Sequence, residues 1–131
     1  TDGLKNTLLF KNNSGTSHNG PWKQVYTDTL IDRWHVGDFC SVEYTISADF
    51  DVNNKELVKV LITASRDTAS LVVYARSSTI SDILDITATV NDSHVDVILN
   101  PVIDPELGTN FTGTKAIYTA QYFHTQTPLV V

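Results

Sequence analysis

Residues 42–50 read VEYTISADF, and apolar side chains occupy every second position of this stretch. A period of two is typical of a β-strand that buries one face and exposes the other. The same alternation recurs in residues 58–64, 71–75, 84–90, 95–99 and 116–122. The pattern therefore predicts an all-β fold, a single antiparallel β-sandwich of the jelly-roll type with about eight strands and with extended N- and C-terminal arms.

Turn-forming residues separate the alternating stretches. They lie at Asn53-Asn54, Arg66-Asp67, Ser77-Ser78, Asn91-Asp92 and from Asp104-Pro105 to Gly108. Outside this regular core we predict an N-terminal arm and flexible loop in residues 1–21 and a C-terminal tail in residues 125–131. Residues 22–124 form the sandwich domain, and a strand pair is predicted at its start, between residues 22 and 34.

Composition excludes several classes of partner. The 131 residues carry a net charge of −6, and the lysines are dispersed rather than clustered, so a nucleic-acid phosphate backbone is repelled. No apolar run approaches the length of a membrane span, so no membrane partner is expected. The single cysteine, Cys40, predicts a small buried thiol rather than a disulfide framework.

Both ends of the chain are apolar, unlike most termini, which are polar. Two interpretations remain open, because these side chains either pack on their own domain or contact a neighbouring subunit. On the second interpretation the candidate assembly interface consists of Leu4, Leu8, Leu9, Phe10, Pro128, Leu129, Val130 and Val131.

No motif for catalysis or metal binding is complete. Asp49, Asp51 and Asn53 imitate the start of a calcium loop, but Asn54 replaces its glycine and Val60 replaces its bidentate glutamate. The four histidines lie far apart in the sequence, and the G-x-S-x-G nucleophile elbow is absent. We therefore predict a protein that is not an enzyme and has no cofactor.

Large aromatic side chains near the start of the domain allow two interpretations. Exposed on one face, they could stack on sugar rings, and buried, they would anchor the core of the sandwich. The candidate glycan-stacking residues are Trp22, Tyr26 and Trp34, with Tyr74 as a further aromatic residue of interest.

The succession of strands carries a family resemblance. Residues 42–48, 57–62 and 71–75 are followed by residues 86–90, an Asn91-Asp92-Ser93 turn, a strand that ends at Pro101, and a last strand at residues 116–123. Over residues 37–124 this succession resembles a β-domain of virion proteins of tailed phages that infect cyanobacteria. The chain departs from that family at residues 66–68, where the family has a glycine in the turn, and residues 1–36 have no counterpart in it.

The resemblance implies a non-enzymatic structural component of a phage virion, located in the tail, baseplate, fibre or capsid surface. Its implied partners are other virion proteins and copies of itself, in a homo-oligomer. We expect assembly through the terminal arms and through sheet edges, where strands can be added. The alternative is a carbohydrate-binding adhesin module that uses the aromatic residues named above.

Overall fold

The computed structural model describes residues 15–127, and every regular element in this range is a β-strand. The strands are β1 (Gly15–Asn19), β2 (Lys23–Val25), β3 (Thr29–His35), β4 (Phe39–Asp49), β5 (Lys55–Ala64), β6 (Ala69–Ser78), β7 (Leu84–Asn91), β8 (His94–Pro101), β9 (Ile103–Asp104), β10 (Thr109–Asn110) and β11 (Thr114–His124). Eight of these eleven strands have five residues or more. The prediction of an all-β fold is confirmed.

The strands form two main sheets, and all pairings are antiparallel. The larger sheet has the order β1-β11-β4-β5-β6, and β2 also pairs with β11. The smaller sheet has the order β3-β8-β7, and β9 with β10 forms a separate short hairpin. In the part of the chain that the structure describes, no helix is long and apolar enough to cross a membrane.

The core lies between the inner faces of the two sheets. Both sheets contribute fully buried side chains, among them Tyr44 and Ile46 from β4 and Val95 and Leu99 from β8. These residues belong to the alternating apolar sets seen in the sequence. The period of two therefore identified the buried face of each long strand except beyond the bulges in β3 and β6.

Three strands carry an extra residue relative to their partners. Ile31 is inserted in β3 opposite β8, Cys40 in β4 opposite β11, and Tyr74 in β6 opposite β5. A β-bulge of this kind reverses which residues face inward beyond it, because the alternation restarts one position later. As a result, Asp32 in β3 and Arg76 in β6 lie on the inward face.

Most predicted turns are confirmed, including the β7–β8 connection. Its central residues Asp92 and Ser93 have φ values of 55° and 59°. Two successive positive φ angles are typical of a type I′ turn, whose twist matches that of a hairpin. The turn predicted at Ser77-Ser78 is wrong in position, since both residues belong to β6 and the connection begins at Thr79.

The strand pair predicted between residues 22 and 34 is also wrong. Both strands form, but β2 pairs with β11 in the larger sheet and β3 pairs with β8 in the smaller one. Residues 26–28 connect the two sheets. The hydrogen-bonding groups of each strand are thus satisfied by a distant strand instead of by the sequence neighbour.

Residues 15–19, predicted as part of a flexible loop, instead form strand β1 along the edge of β11. The 11-residue β11 needs partners on both sides, and β1 and β2 pair in succession with its free edge. Gly20 follows β1 and is buried, where an added Cβ would lie 1.9 Å from the Tyr118 ring. Only glycine allows the chain to approach that ring so closely.

Candidate binding surface

The outer face of the larger sheet contains a groove of about 260 Å³. Four adjacent strands line it with outward-facing polar side chains, which are Ser17 and Asn19 from β1, Thr119 and Gln121 from β11, Glu43 and Thr45 from β4, and Lys59 from β5. We call this site the outer groove.

The strand register explains why these side chains meet. Asn19 lies opposite Thr119, Thr119 opposite Thr45, and Thr45 opposite Lys59, so the four residues form one continuous row. Because neighbouring strands lie about 4.8 Å apart, the row extends roughly 14 Å across the sheet. Opposed residues on one face are close enough to contact a ligand together.

The charged groups of the outer groove have different surroundings. Glu43 accepts a hydrogen bond from the hydroxyl of Tyr74, and this bond raises the pKa of Tyr74. Lys59 is half-buried, and among residues 15–127 no carboxylate lies within ion-pair distance of its ammonium group. Lys55, on the same face of the same strand, pairs with Asp49 at 2.7 Å. The outer groove therefore holds a cation without a partner among the described residues.

The candidate glycan-stacking residues differ in their exposure. Trp22 and Tyr26 are 56% and 57% exposed and flank β2, in which Val25 is buried. Because side chains alternate along an extended chain, these two aromatic residues lie on the side of β2 opposite to Val25. Tyr74 is also exposed, on the outer face of the same sheet but at its β6 edge.

Trp34, in contrast, is 4% exposed and belongs to the core. Its indole N–H donates a hydrogen bond of 3.0 Å to the hydroxyl of Tyr44. A ring in this position cannot stack on a sugar, so we correct the candidate set to Trp22 and Tyr26. The buried-core interpretation of the aromatic residues applies to Trp34 alone of the three.

Trp34 is part of a hydrogen-bond cluster between the two sheets, which we call the Asp32 cluster. The hydroxyls of Tyr44 and Tyr122 donate to one Asp32 oxygen at 2.6 and 2.5 Å. The pKa values of both tyrosines lie well above the ordinary tyrosine value, mainly because the hydroxyls are buried. Burial also raises the pKa of nearby Tyr118 to about 12. The cluster joins β3 to β4 and β11 and holds its tyrosines protonated.

A buried carboxylate, Glu56, is held by the connection between the sheets. It accepts hydrogen bonds from Arg76 at 2.7 Å, from Ser78 at 2.6 Å, and from the backbone amides of Ile83 and Leu84 at 3.1–3.2 Å. Its side chain is fully buried. Every donor around this carboxylate belongs to the fold, so we assign Glu56 a structural role.

The residues that imitate a calcium loop are used by the β4–β5 turn. Asp49 pairs with Lys55, and one Asp51 oxygen accepts hydrogen bonds from the backbone amides of Asn53 and Asn54. Hydrogen bonds, first of all from the side chain of Asn54, lower the pKa of Asp51. Over residues 15–127, no group of three His, Cys, Asp or Glu side chains is arranged to hold a metal ion.

The fold brings together two histidines that are distant in the sequence. His35 and His94 lie opposite each other on β3 and β8, with ring centroids 4.8 Å apart. The Nδ1 atom of His35 accepts a hydrogen bond from the amide of Gly37, so this atom is not free for a ligand. The pair therefore serves to pack the end of the smaller sheet.

The candidate assembly residues at the two ends of the chain lie outside the described residues. This applies to Leu4, Leu8, Leu9, Phe10, Pro128, Leu129, Val130 and Val131.

Solved structures with a similar fold are phage tailspike proteins. The tailspike of Acinetobacter baumannii phage AM24 matches over 94% of this chain and 28% of its own, with 9% identity and a TM-score of 0.53. The tailspike of Acinetobacter phage vB_ApiP_P1 matches over 95% of this chain and 24% of its own, with 13% identity and a TM-score of 0.51. The chain thus spans about a quarter of the length of these proteins.

At sequence identities of 9% and 13%, the similarity to these two tailspikes is a similarity of fold alone. It agrees with the resemblance to a phage virion β-domain, although these neighbours belong to phages of Acinetobacter and not of cyanobacteria. No protein-family model matches the sequence, and no curated protein matches it.

Proposed function

We propose that this chain is a non-enzymatic β-sandwich module of a tail-associated phage virion protein. The observation that carries the proposal is the fold likeness to two phage tailspikes, which extends over nearly the whole chain. The resemblance of residues 37–124 to a virion β-domain supports it independently. A cyanobacterial host remains a prediction from the sequence.

The proposed module works as one of several copies. Its terminal apolar residues contact neighbouring subunits, while the outer face of the larger sheet is presented to the surroundings. Strand β6 ends the order of described strands in that sheet, and Val72 and Tyr74 on it are exposed. Such an edge can accept a further strand from a neighbour, and repeated copies strengthen weak contacts through avidity.

The surroundings of two inward-facing carboxylates support a non-enzymatic role. Asp32 and Glu56 both face the interior, and both accept hydrogen bonds from the fold's own side chains. A catalytic acid or base must instead reach the proton that it transfers. Carboxylates engaged in this way serve stability.

Measurement of the mass in solution tests the assembly proposal. We expect the full chain to form a defined homo-oligomer at micromolar concentration, as measured by light scattering. A Leu129→Ser/Val130→Ser variant is expected to dissociate at least tenfold more readily, because the substitutions remove apolar contact area. A Leu8→Ser/Leu9→Ser variant tests the other end in the same way.

The matched control is Val52→Ser, which changes an apolar side chain that is 85% exposed in the β4–β5 turn. This variant is expected to keep the mass of the parent protein. A parent protein that stays monomeric at high concentration, with both terminal variants unchanged, would contradict assembly through the ends of the chain.

A carbohydrate-binding module is the second candidate function, favoured by the exposure of Trp22 and Tyr26. If these rings stack on sugars, Trp22→Ala and Tyr26→Ala should each weaken glycan binding at least tenfold without a change in melting temperature. Calorimetry with a glycan selected from an array measures the affinity. Phe123→Ala, an exposed aromatic residue near the far end of β11, is the control, and equal losses for all three variants would count against a specific stacking site.

A further inference from the structure

We propose that the outer groove binds an acidic saccharide, with the sugar carboxylate on Lys59 and the sugar hydroxyls on the polar side chains of β1, β4 and β11. This inference goes beyond the structural role proposed above. It also concerns a site other than Trp22 and Tyr26, so the two carbohydrate hypotheses can be tested separately.

The charge of the ligand follows from Lys59. The side chain of Lys59 is half-buried, and an ammonium group that lines a groove forms its strongest hydrogen bond with an anionic acceptor. Lys55 has such a partner in Asp49, whereas Lys59 has none among the described carboxylates. A carboxylate on the ligand provides the missing partner and forms a charge-assisted hydrogen bond.

The hydroxyl-rich character of the ligand follows from the other side chains of the outer groove. Asn19, Thr45 and Thr119 form one row with Lys59, and each side chain can both donate and accept hydrogen bonds. Sugar hydroxyls have the same double capacity and are arranged on adjacent carbons. The outer groove has one cation, and the chain has a net charge of −6. A nucleic-acid backbone requires several cations, so it does not suit this site.

Glu43 is a carboxylate that also lines the outer groove. Its Oε2 atom accepts the hydroxyl of Tyr74, on the side of the outer groove toward β6. Its other oxygen can accept a hydrogen bond from a sugar hydroxyl. Glu43 lies in the row next to that of Lys59, so the two charges contact different parts of one ligand.

The size of the outer groove sets the length of the ligand. Its volume of about 260 Å³ is close to the lower end of the range for ligand sites, which is roughly 300–1,000 Å³. The site therefore holds one or two sugar rings, either free or as part of a longer chain that continues along the open sheet.

The experiment is a titration of the ¹⁵N-labelled full chain with methyl glucuronoside and, in parallel, with methyl glucoside. The two probes share a ring and differ in having a carboxylate or a hydroxymethyl group. We expect amide shifts centred on Asn19, Thr45, Lys59 and Thr119, and at least tenfold tighter binding of the glucuronoside. Equal affinity for the two probes would overturn the assignment of a carboxylate to Lys59.

Three variants separate recognition of the carboxylate from recognition of the hydroxyls. Lys59→Gln is expected to remove the preference for the glucuronoside, while Lys55→Gln, on the same face of β5, leaves it unchanged. Thr119→Val, which keeps the shape of the side chain and removes its hydroxyl, is expected to lower the affinity for both probes at least threefold. Each variant is folded if its melting temperature lies within about 2–3 °C of that of the parent protein. A surface substitution that costs about 0.5 kcal/mol produces a change of this size.

The possible failures are distinguishable. Equal loss in the Lys55 and Lys59 variants, or the absence of shifts at 50-fold excess of probe over protein, would overturn the outer groove as a site. Shifts centred on Trp22 and Tyr26 would overturn it as well, while supporting the stacking hypothesis. None of these results bears on the oligomeric mass, which tests the virion module separately.

Discussion

Glu56→Ala is expected to lower the free energy of unfolding by about 3–5 kcal/mol, the usual cost of breaking a buried ion pair. The substitution leaves the Arg76 guanidinium, the Ser78 hydroxyl and the amides of Ile83 and Leu84 without their shared acceptor. The guanidinium makes the largest contribution, because it loses its charge-assisted bond of 2.7 Å and keeps the longer ion pair with Asp82, at 3.8 Å. Urea denaturation followed by tryptophan fluorescence measures the change, since Trp34 lies in the core.

The control for this prediction is Glu106→Ala, which removes a glutamate from the exposed loop between β9 and β10. A change within 0.5 kcal/mol is expected there, as is typical for surface positions, where effects are about ±0.5 kcal/mol. Glu56→Gln should fall between the two variants, because the amide oxygen still accepts hydrogen bonds while the charge is lost. A Glu56→Ala variant as stable as the Glu106→Ala control would show that the ion pair contributes nothing to stability.

The sequence predicts the faces of most strands because the long strands alternate without interruption outside their bulges. In β4 the buried residues are Val42, Tyr44, Ile46 and Ala48, the same apolar positions that defined the period of two. Glu56 occupies an inward position in β5 by the same rule, two residues before buried Val58. The alternation could therefore have identified Glu56 as a buried carboxylate that needs partners.

Its partner Arg76 could not be found in this way. The alternation through Leu71, Val73 and Ala75 predicts that Arg76 faces outward, but the extra residue Tyr74 reverses the face beyond it. A bulge depends on how two strands pair and leaves no mark in the period of either strand alone. The same reason explains why Asp32, beyond the bulge in β3, was missed.

The outer groove was missed for a related reason. Its row of Asn19, Thr119, Thr45 and Lys59 comes from four strands, of which β1 and β11 are separated by most of the chain. Each residue alone is an ordinary polar residue on the exposed face of a strand. Only the register between strands, which local sequence does not specify, places them side by side.

The bulge in β3 has a consequence for the response of the fold to alkaline pH. By turning Asp32 inward, it gives the hydroxyls of Tyr44 and Tyr122 an acceptor that is an anion. An ionised tyrosine beside this carboxylate would be both desolvated and repelled. The Asp32 cluster is therefore compatible only with protonated tyrosines.

We accordingly expect the protein to lose stability steeply as the pH rises above 10. In the unfolded chain tyrosine has a pKa of about 10, whereas in the fold burial raises the pKa of Tyr118 to about 12 and raises the pKa values of Tyr44 and Tyr122 as well. Between these values the folded state binds more protons than the unfolded state, so the free energy of unfolding falls with pH. The expected slope is about 1.4 kcal/mol per pH unit for each such tyrosine, and below pH 10 their contribution is fully present.

Urea denaturation at pH 8, 10 and 11 measures this slope, and absorbance at 295 nm reports tyrosine ionisation. Tyr44→Phe should reduce the slope by the contribution of one tyrosine, about 1.4 kcal/mol per pH unit. Tyr26→Phe, which changes an exposed ring, should leave the slope unchanged. The tyrosines of the Asp32 cluster should ionise together with unfolding, because the folded state holds their protons. Ionisation of all five tyrosines below the pH of unfolding would show that the cluster does not protect them.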